Sequence, residues 1–302
     1  MTIPKIVINA RQKLCVISLG ILVMASVTGS GAHAQATAPK VDLEALRKNA
    51  AALLPTGTLN VGMDVNYAPF EFYDADGKTI LGADAELARA VGEAMNVSIT
   101  FVPMSFSNVI PSLLSRRIDV GWSGITAYKL LEERVDFVMY VENKMTVLVQ
   151  KGNPANVKSL ADLCGLKVAT GRTTAHWIAM IAKQSEACVA AGKPPLQMLQ
   201  FGSSQDVDLA VRSGRADASL NSFPQASRAS QVVGAGAVEV ATPPLPLSPV
   251  GVVVPKGSPL APLLQQAFQH VHAQGAYKAI LERHDLLKCC ERTDFSINGA
   301  RL

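Results

Sequence analysis

The sequence predicts an α/β protein of two lobes, each a mostly parallel sheet flanked by helices, the two joined by crossover strands. Three observations carry this expectation. Short β-branched runs alternate with longer amphipathic stretches, the rhythm restarts midway along the chain, and one strand and a helical stretch return at the end. The length allows one large or two medium domains.

A leader precedes these elements. Lys5, Arg11 and Lys13 come first, an apolar run follows from Leu14 to Val27, and "AHA" ends at Ala34. That order is a secretory signal with cleavage after Ala34, which puts the mature chain outside the cytoplasm. The apolar run falls short of the roughly 20 residues a bilayer needs. Residues 35–56 read as an extension in which "VDLEALRKNAAALL" forms a short helix outside the core domain, stopped at Pro55.

The first lobe then reads in order. "TLNVGMD" is a strand, "ADAELARAVGEAM" a helix, "VSITFVPM" a strand, "NVIPSLLSRR" a helix and "IDVGWSG" a strand. After "MTVLVQKGNP" the second lobe repeats the rhythm. "SLADLCG" is a short helix, "LKVAT" a strand, "TAHWIAMIAKQSEACVAAG" a helix, "LQMLQF" a strand, "SQDVDLAVRSG" a helix and "ADASLNS" a strand. The Pro-rich "TPPLPLSP" precedes a return strand, "VGVVVPKGSP", and one helical stretch from Leu260 to about His284. Lobe 1 is therefore placed at 57–143 plus 249–288, lobe 2 at 147–245, and a tail at 289–302.

Four cysteines survive removal of the leader: Cys164, Cys188, Cys289 and Cys290. In an oxidising compartment they allow three pairings. An adjacent pair is strained, which favours Cys164 with Cys188 and leaves the pairing of Cys289 and Cys290 open. No Cys-x-x-Cys or His-x-x-x-His spacing supports a metal site, and no cofactor is expected. Loss of the leader removes three of 28 basic residues and none of 24 acidic ones, leaving 25 against 24. That near-neutral balance, without a Lys/Arg cluster, gives no footprint for nucleic acid.

Ligands on open α/β sheets bind outside the carboxyl ends of the strands. The rule selects Asp64 to Phe70, Ser105 and Phe106, Ser123 to Thr126, Gly171 to Thr174, and Asn221 with Ser222. These segments offer small polar groups and a few aromatics, which suits a small polar solute. Trp122 reads as packing, and His176 as a solvated or capping group without a catalytic partner.

"LNVGMDVNYAPFEFYDADGKTILGADAELARAVGEAM" and "IPSLLSRRIDVGWSGIT" resemble the first two blocks of the extracellular solute-binding proteins of family 3. "LADLCGLKVA", "AVRSGRADA", "VGVVVPKGSP" and the final helix follow in order, so the resemblance covers about residues 57–286. It implies the type II periplasmic-binding-protein fold and a monomer in the periplasm. Such a protein captures an amino acid or similar solute by hinge closure and passes it to an ABC permease in the inner membrane. Carried over residue by residue, Tyr67 and Phe106 sandwich the ligand's apolar part and Asp64 meets its ammonium group. Ser123, Gly124 and Thr126 supply hydroxyl and backbone contacts, and Thr173 or Thr174 adds N–H donors at a helix start.

Two positions depart from the family pattern. Where the family carries an arginine that forks onto the α-carboxylate, this chain aligns Leu131, and where it carries an aspartate for the α-ammonium, this chain aligns Ser222. Arg172, Arg134 or Lys129 could compensate, or the solute is not a plain α-amino acid. The fold also admits a cleft lyase or dehydratase, for which Glu71 and Asp64 are the carboxylates at hand, and a ligand-sensing partner of a membrane receptor.

Overall fold

The β-branched runs become strands and the amphipathic runs become helices in the computed structural model of the protein, which describes residues 41–172, 174–232 and 236–301. The leader with its cleavage site after Ala34, and Thr173, lie outside the described residues. The first part of the chain runs α1 (Leu43–Leu53), β1 (Thr58–Met63), β2 (Asn66–Tyr67), β3 (Glu71–Tyr73), β4 (Ile80–Leu81), α2 (Ala83–Met95), β5 (Ser98–Pro103), α3 (Phe106–Leu114), β6 (Val120–Gly121), α4 (Lys129–Glu132) and β7 (Val135–Val141). The second part runs β8 (Lys144–Gln150), a 3-10 turn (Leu160–Leu163), β9 (Lys167–Gly171), α5 (Ala175–Ala190), β10 (Gln197–Phe201), α6 (Ser204–Arg212), β11 (Ala218–Ser222), α7 (Phe223–Val232), β12 (Val238–Val240) and β13 (Leu245–Pro246). Return to the first lobe comes with β14 (Val250–Pro255), α8 (Leu260–Ala273), α9 (Ala276–Arg283) and α10 (Leu287–Cys290).

Two large sheets result. One has the order β5-β1-β6-β14-β7, the other β10-β9-β11-β8-β12 with β13 on β8. Strands linked through helices pair in parallel, β1 with β5 and β6, β9 with β10 and β11. Those next to the crossovers pair antiparallel, β14 with β6 and β7, β8 with β11 and β12. The chain passes from one sheet to the other between β7 and β8 and returns between β13 and β14.

The first lobe is built on large buried aromatics. Trp122, Tyr140, Phe268 and Phe295 have no measurable exposure, Tyr140 stacks on Phe268 at 5.7 Å, and Phe268 stacks on Phe295 at 5.5 Å. Trp122 is thus packing, as its place at a strand end suggests. The second lobe has a smaller core around Val147, Val168 and Ile181, and the Cys164–Cys188 disulfide ties the 3-10 turn to the last part of α5. Cys289 and Cys290 are joined to each other.

Three expectations need correction. The helix α1 is not outside the core: Leu46 and Ala50 are fully buried against the first lobe, because its apolar stripe needs a partner and α8 supplies one. Residues 291–301 are not a loose tail either, since Phe295 fills the aromatic core and Asn298 Oδ1 accepts from Phe137 N–H at 2.9 Å. The final helical stretch breaks at Gly275, whose φ of 78° ends α8 and permits the turn into α9. The helix α7 follows β11 directly, and the face it buries includes the small residues Ala226 and Ala229.

Candidate functional site

A cavity of about 100 Å³ lies between the two sheets, at the carboxyl ends of β1, β6, β9 and β11. The first lobe lines it with Asp64 and Tyr67 after β1, Phe106 at the start of α3, and Ser123, Gly124 and Thr126 after β6. The second lobe brings Gly171 and Thr174, then His176 and Trp177 in the first turn of α5, and Asn221 at the end of β11.

Hydrogen bonds fix the first wall. Asp64 follows β1 by one residue, and its N–H donates to Ser123 Oγ at 2.9 Å. Its carboxylate accepts from Asn66 Nδ2 at 2.9 Å and from Phe106 N–H at 3.0 Å, which anchors the start of α3. The Ser123 hydroxyl donates to Glu71 Oε1 at 2.7 Å. Behind it, Asp84 accepts from Gly124 N–H at 3.0 Å and from the Tyr140 hydroxyl at 2.5 Å. Gly124 sits at φ 55°, and a Cβ there would lie 2.5 Å from the Tyr67 ring, so only glycine lets the loop and ring meet.

Two carboxyls, Glu71 and Asp84, are wholly buried beneath this wall. Burial, then the charge of Asp84, pushes the Glu71 carboxyl well above its ordinary range, and its Oε2 is enclosed without a hydrogen-bond partner. Burial raises Asp84 as well, opposed by its bonds from Tyr140 and Gly124. The pair therefore keeps one proton between them, and that proton belongs to the scaffold.

Contacts span the cleft. The Tyr67 hydroxyl donates to Ser222 Oγ at 2.8 Å, Gln205 Nε2 donates to Asn66 O at 3.3 Å, and the Arg228 guanidinium lies 5.1 Å from the Phe72 ring centre. Burial raises the Tyr67 phenol, so it stays a neutral donor.

A second cavity of about 120 Å³ adjoins the first and shares Phe106, Thr126, Thr174 and His176 with it. Its other walls are mainly apolar, among them Val109, Ile110, Ile125 and Leu131. Leu131 is buried in that wall. His176 faces both cavities, its Nε2 is enclosed without a protein partner, and burial lowers its pKa to about 4. It is a neutral imidazole at pH 7 and not the solvated group expected from the sequence.

Of the residues singled out in the sequence, Asp64, Tyr67, Phe106, Ser123, Gly124, Thr126 and Thr174 come together at the cavity. Arg172 does not: its side chain is exposed, and Lys129 and Arg134 are exposed too. Ser222 stands behind the lining, held by Tyr67. The Gly124 N–H and the Ser123 proton already bond Asp84 and Glu71, so these two residues shape the wall more than they offer donors. Thr126 Oγ1 accepts from Asn143 at 3.2 Å and retains its own proton to donate. His176, Trp177 and Gln225 were missed as lining residues. Two of them begin a helix that follows a strand end, and that position was the available signal. Among the described residues no group of three His, Cys, Asp or Glu side chains could hold a metal, and no helix is long and apolar enough to cross a membrane.

Comparison with known proteins agrees with this architecture. The arginine-binding protein ArgT of Corynebacterium glutamicum is 30% identical over 232 residues, 76% of this chain and 75% of that protein. Among solved structures, an ancestral arginine-binding protein bound to arginine superimposes with a TM-score of 0.67 at 29% identity, covering 76% of this chain and 98% of its own. An ancestral amino acid-binding protein described as a precursor of cyclohexadienyl dehydratase gives 0.64 at 29% identity, over 78% and 98%. The sequence pattern of one family matches residues 59–286, and the chain belongs to it: the bacterial extracellular solute-binding proteins, family 3.

Proposed function

We propose that the protein is the solute-binding component of an ABC importer, capturing an amino acid or an amino-acid-like polar solute between its lobes. The observation that carries this reading is the interlobe cavity, with aromatic and small polar groups on both walls and the Tyr67–Ser222 bond between the lobes. Residues from both lobes meet at one small volume, so a solute that touches both favours the closed arrangement over an open one. In this reading Tyr67 and Phe106 flank the solute, Asp64 takes a positive group, and Thr126, Thr174 and Asn221 orient the rest. Relatives named as arginine-binding and amino acid-binding proteins support it.

Binding is the whole activity in this reading. Glu71 is buried and its Oε1 accepts from Ser123, so this acid braces the wall and no catalytic step is assigned to it. The mature chain would work as a monomer in the periplasm, with a permease of the inner membrane as partner. A melting-temperature screen over amino acids, amines, opines and betaines tests it, because a ligand that binds only the folded state stabilises it by mass action. At least one solute should raise the melting temperature and be recovered unchanged. A folded protein that responds to none defeats the reading, and a solute consumed on incubation replaces it with an enzyme.

A further inference from the structure

We infer that the cleft selects a cationic amine or guanidine without a carboxylate, such as the decarboxylated counterpart of a basic amino acid. This inference rests on the solute-binding reading above and names its substrate class. The first ground is the charge of the walls. Among the described residues neither cavity has an arginine or lysine in its lining, whereas Asp64 and Glu71 both reach the first. Glu71 is neutral, so the formal charge that faces a solute is the negative one on Asp64. Its oxygens already accept from Asn66 and Phe106, and each retains lone-pair capacity for a further donor. An ammonium or guanidinium is the group that satisfies such an oxygen and neutralises it.

The second ground is that no counter-charge waits for an anion. Among the described residues His176 is the one basic side chain of the lining, and burial keeps it neutral at pH 7. Leu131, Val109, Ile110 and Ile125 make the adjoining chamber mainly apolar. The exposed Arg172, Lys129 and Arg134 point their charges into solvent and line neither cavity. The N-terminus of α5 offers only the partial charge of its first N–H groups, which is weaker than an ion and acts beside Asp64. A carboxylate brought here is dehydrated without a cationic partner and repelled by Asp64. A neutral or hydrocarbon end meets no such cost, and His176 Nε2 remains for one hydrogen bond to a second amine or amide.

Paired titration calorimetry on the mature wild-type protein tests this, with agmatine against arginine and putrescine against ornithine, each pair differing by one carboxylate. In at least one pair the amine should bind about tenfold or more tightly than its amino acid, the scale set by an unpaired buried charge. Asp64→Asn should weaken the amine, and Leu131→Arg should narrow the gap within the pair by giving arginine its missing cation. Equal or tighter binding of the amino acids overturns the inference and leaves the transport reading intact. Failure of both amines, while another solute raises the melting temperature, does the same. Silence of every solute in the wider screen overturns both. The wild-type comparison stands even if Leu131→Arg does not fold.

Discussion

The two walls of the cleft are built differently. On the first lobe Asp64, Tyr67, Ser123 and Gly124 are fixed to one another and to the buried pair Glu71 and Asp84, which in turn hang on Tyr140 inside an aromatic core. On the second lobe the lining groups are uncharged at pH 7, among them Thr174, His176, Trp177 and Asn221, set on a smaller core that a disulfide staples. The first wall thus carries the charge and is held in place by its own hydrogen bonds. The second supplies neutral closure, a division suited to a site where orientation comes from one lobe and capture from the other.

Trp122→Ala should break the first wall most severely. A buried indole touching Tyr140 and Phe268 is lost, at a cost of about 3 to 5 kcal/mol in denaturant unfolding, and solute binding should fall with it. Removing the staple of the second lobe by Cys164→Ala with Cys188→Ala should cost about 3 kcal/mol, given the 24-residue separation. Its effect on affinity should be smaller than that of Trp122→Ala; an equal loss would mean that both walls depend alike on global packing.

The bridge between the walls is next in size. Tyr67→Phe and Ser222→Ala should each weaken solute binding by about 1 kcal/mol, roughly fivefold, and the double variant should cost little more than either alone. Additive losses in calorimetry would show that the hydroxyls act separately.

In the second lobe the remaining effect is one of stability alone and depends on pH. Asp208 has a buried carboxyl oxygen without a protein partner, and burial, opposed by Arg212, raises it to about 7. Folded protein then holds a proton that the unfolded chain has lost, so stability falls as pH rises from the ordinary carboxyl range through 7. Asp208→Asn should stabilise by about 1 to 2 kcal/mol at pH 8, once access of water to a partly buried group is allowed for. At about pH 3, where the carboxyl is largely protonated in both states, the difference should shrink toward zero in thermal melts.

Legibility in the sequence follows the same division. The positions after β1 and β6 were readable, since a strand end on an open sheet projects its next residues into the crevice, and Asp64, Tyr67, Ser123 and Thr126 all line it. Arg172 follows β9 by the same rule yet is exposed, because one residue of turn decides which way a side chain leaves the backbone. His176 looked like a helix-start residue in water and instead lines a cavity with Phe106 and Leu131 of the other lobe, a neighbourhood that no local pattern contains. The buried position of α1 was likewise invisible, since its stripe announces a partner without naming α8.

The chain by itself determined the order of its elements, the resemblance that fixes the family, and the scarcity of charge near the strand ends, because periodicity and motif spacing are local properties. Only the tertiary structure decided which groups meet. It paired Tyr67 with Ser222 across 155 positions, hid Leu131 in an apolar chamber and left the three candidate cations outside. Electrostatic character belongs to a cavity as a whole, and a cavity exists only once distant segments have folded around it.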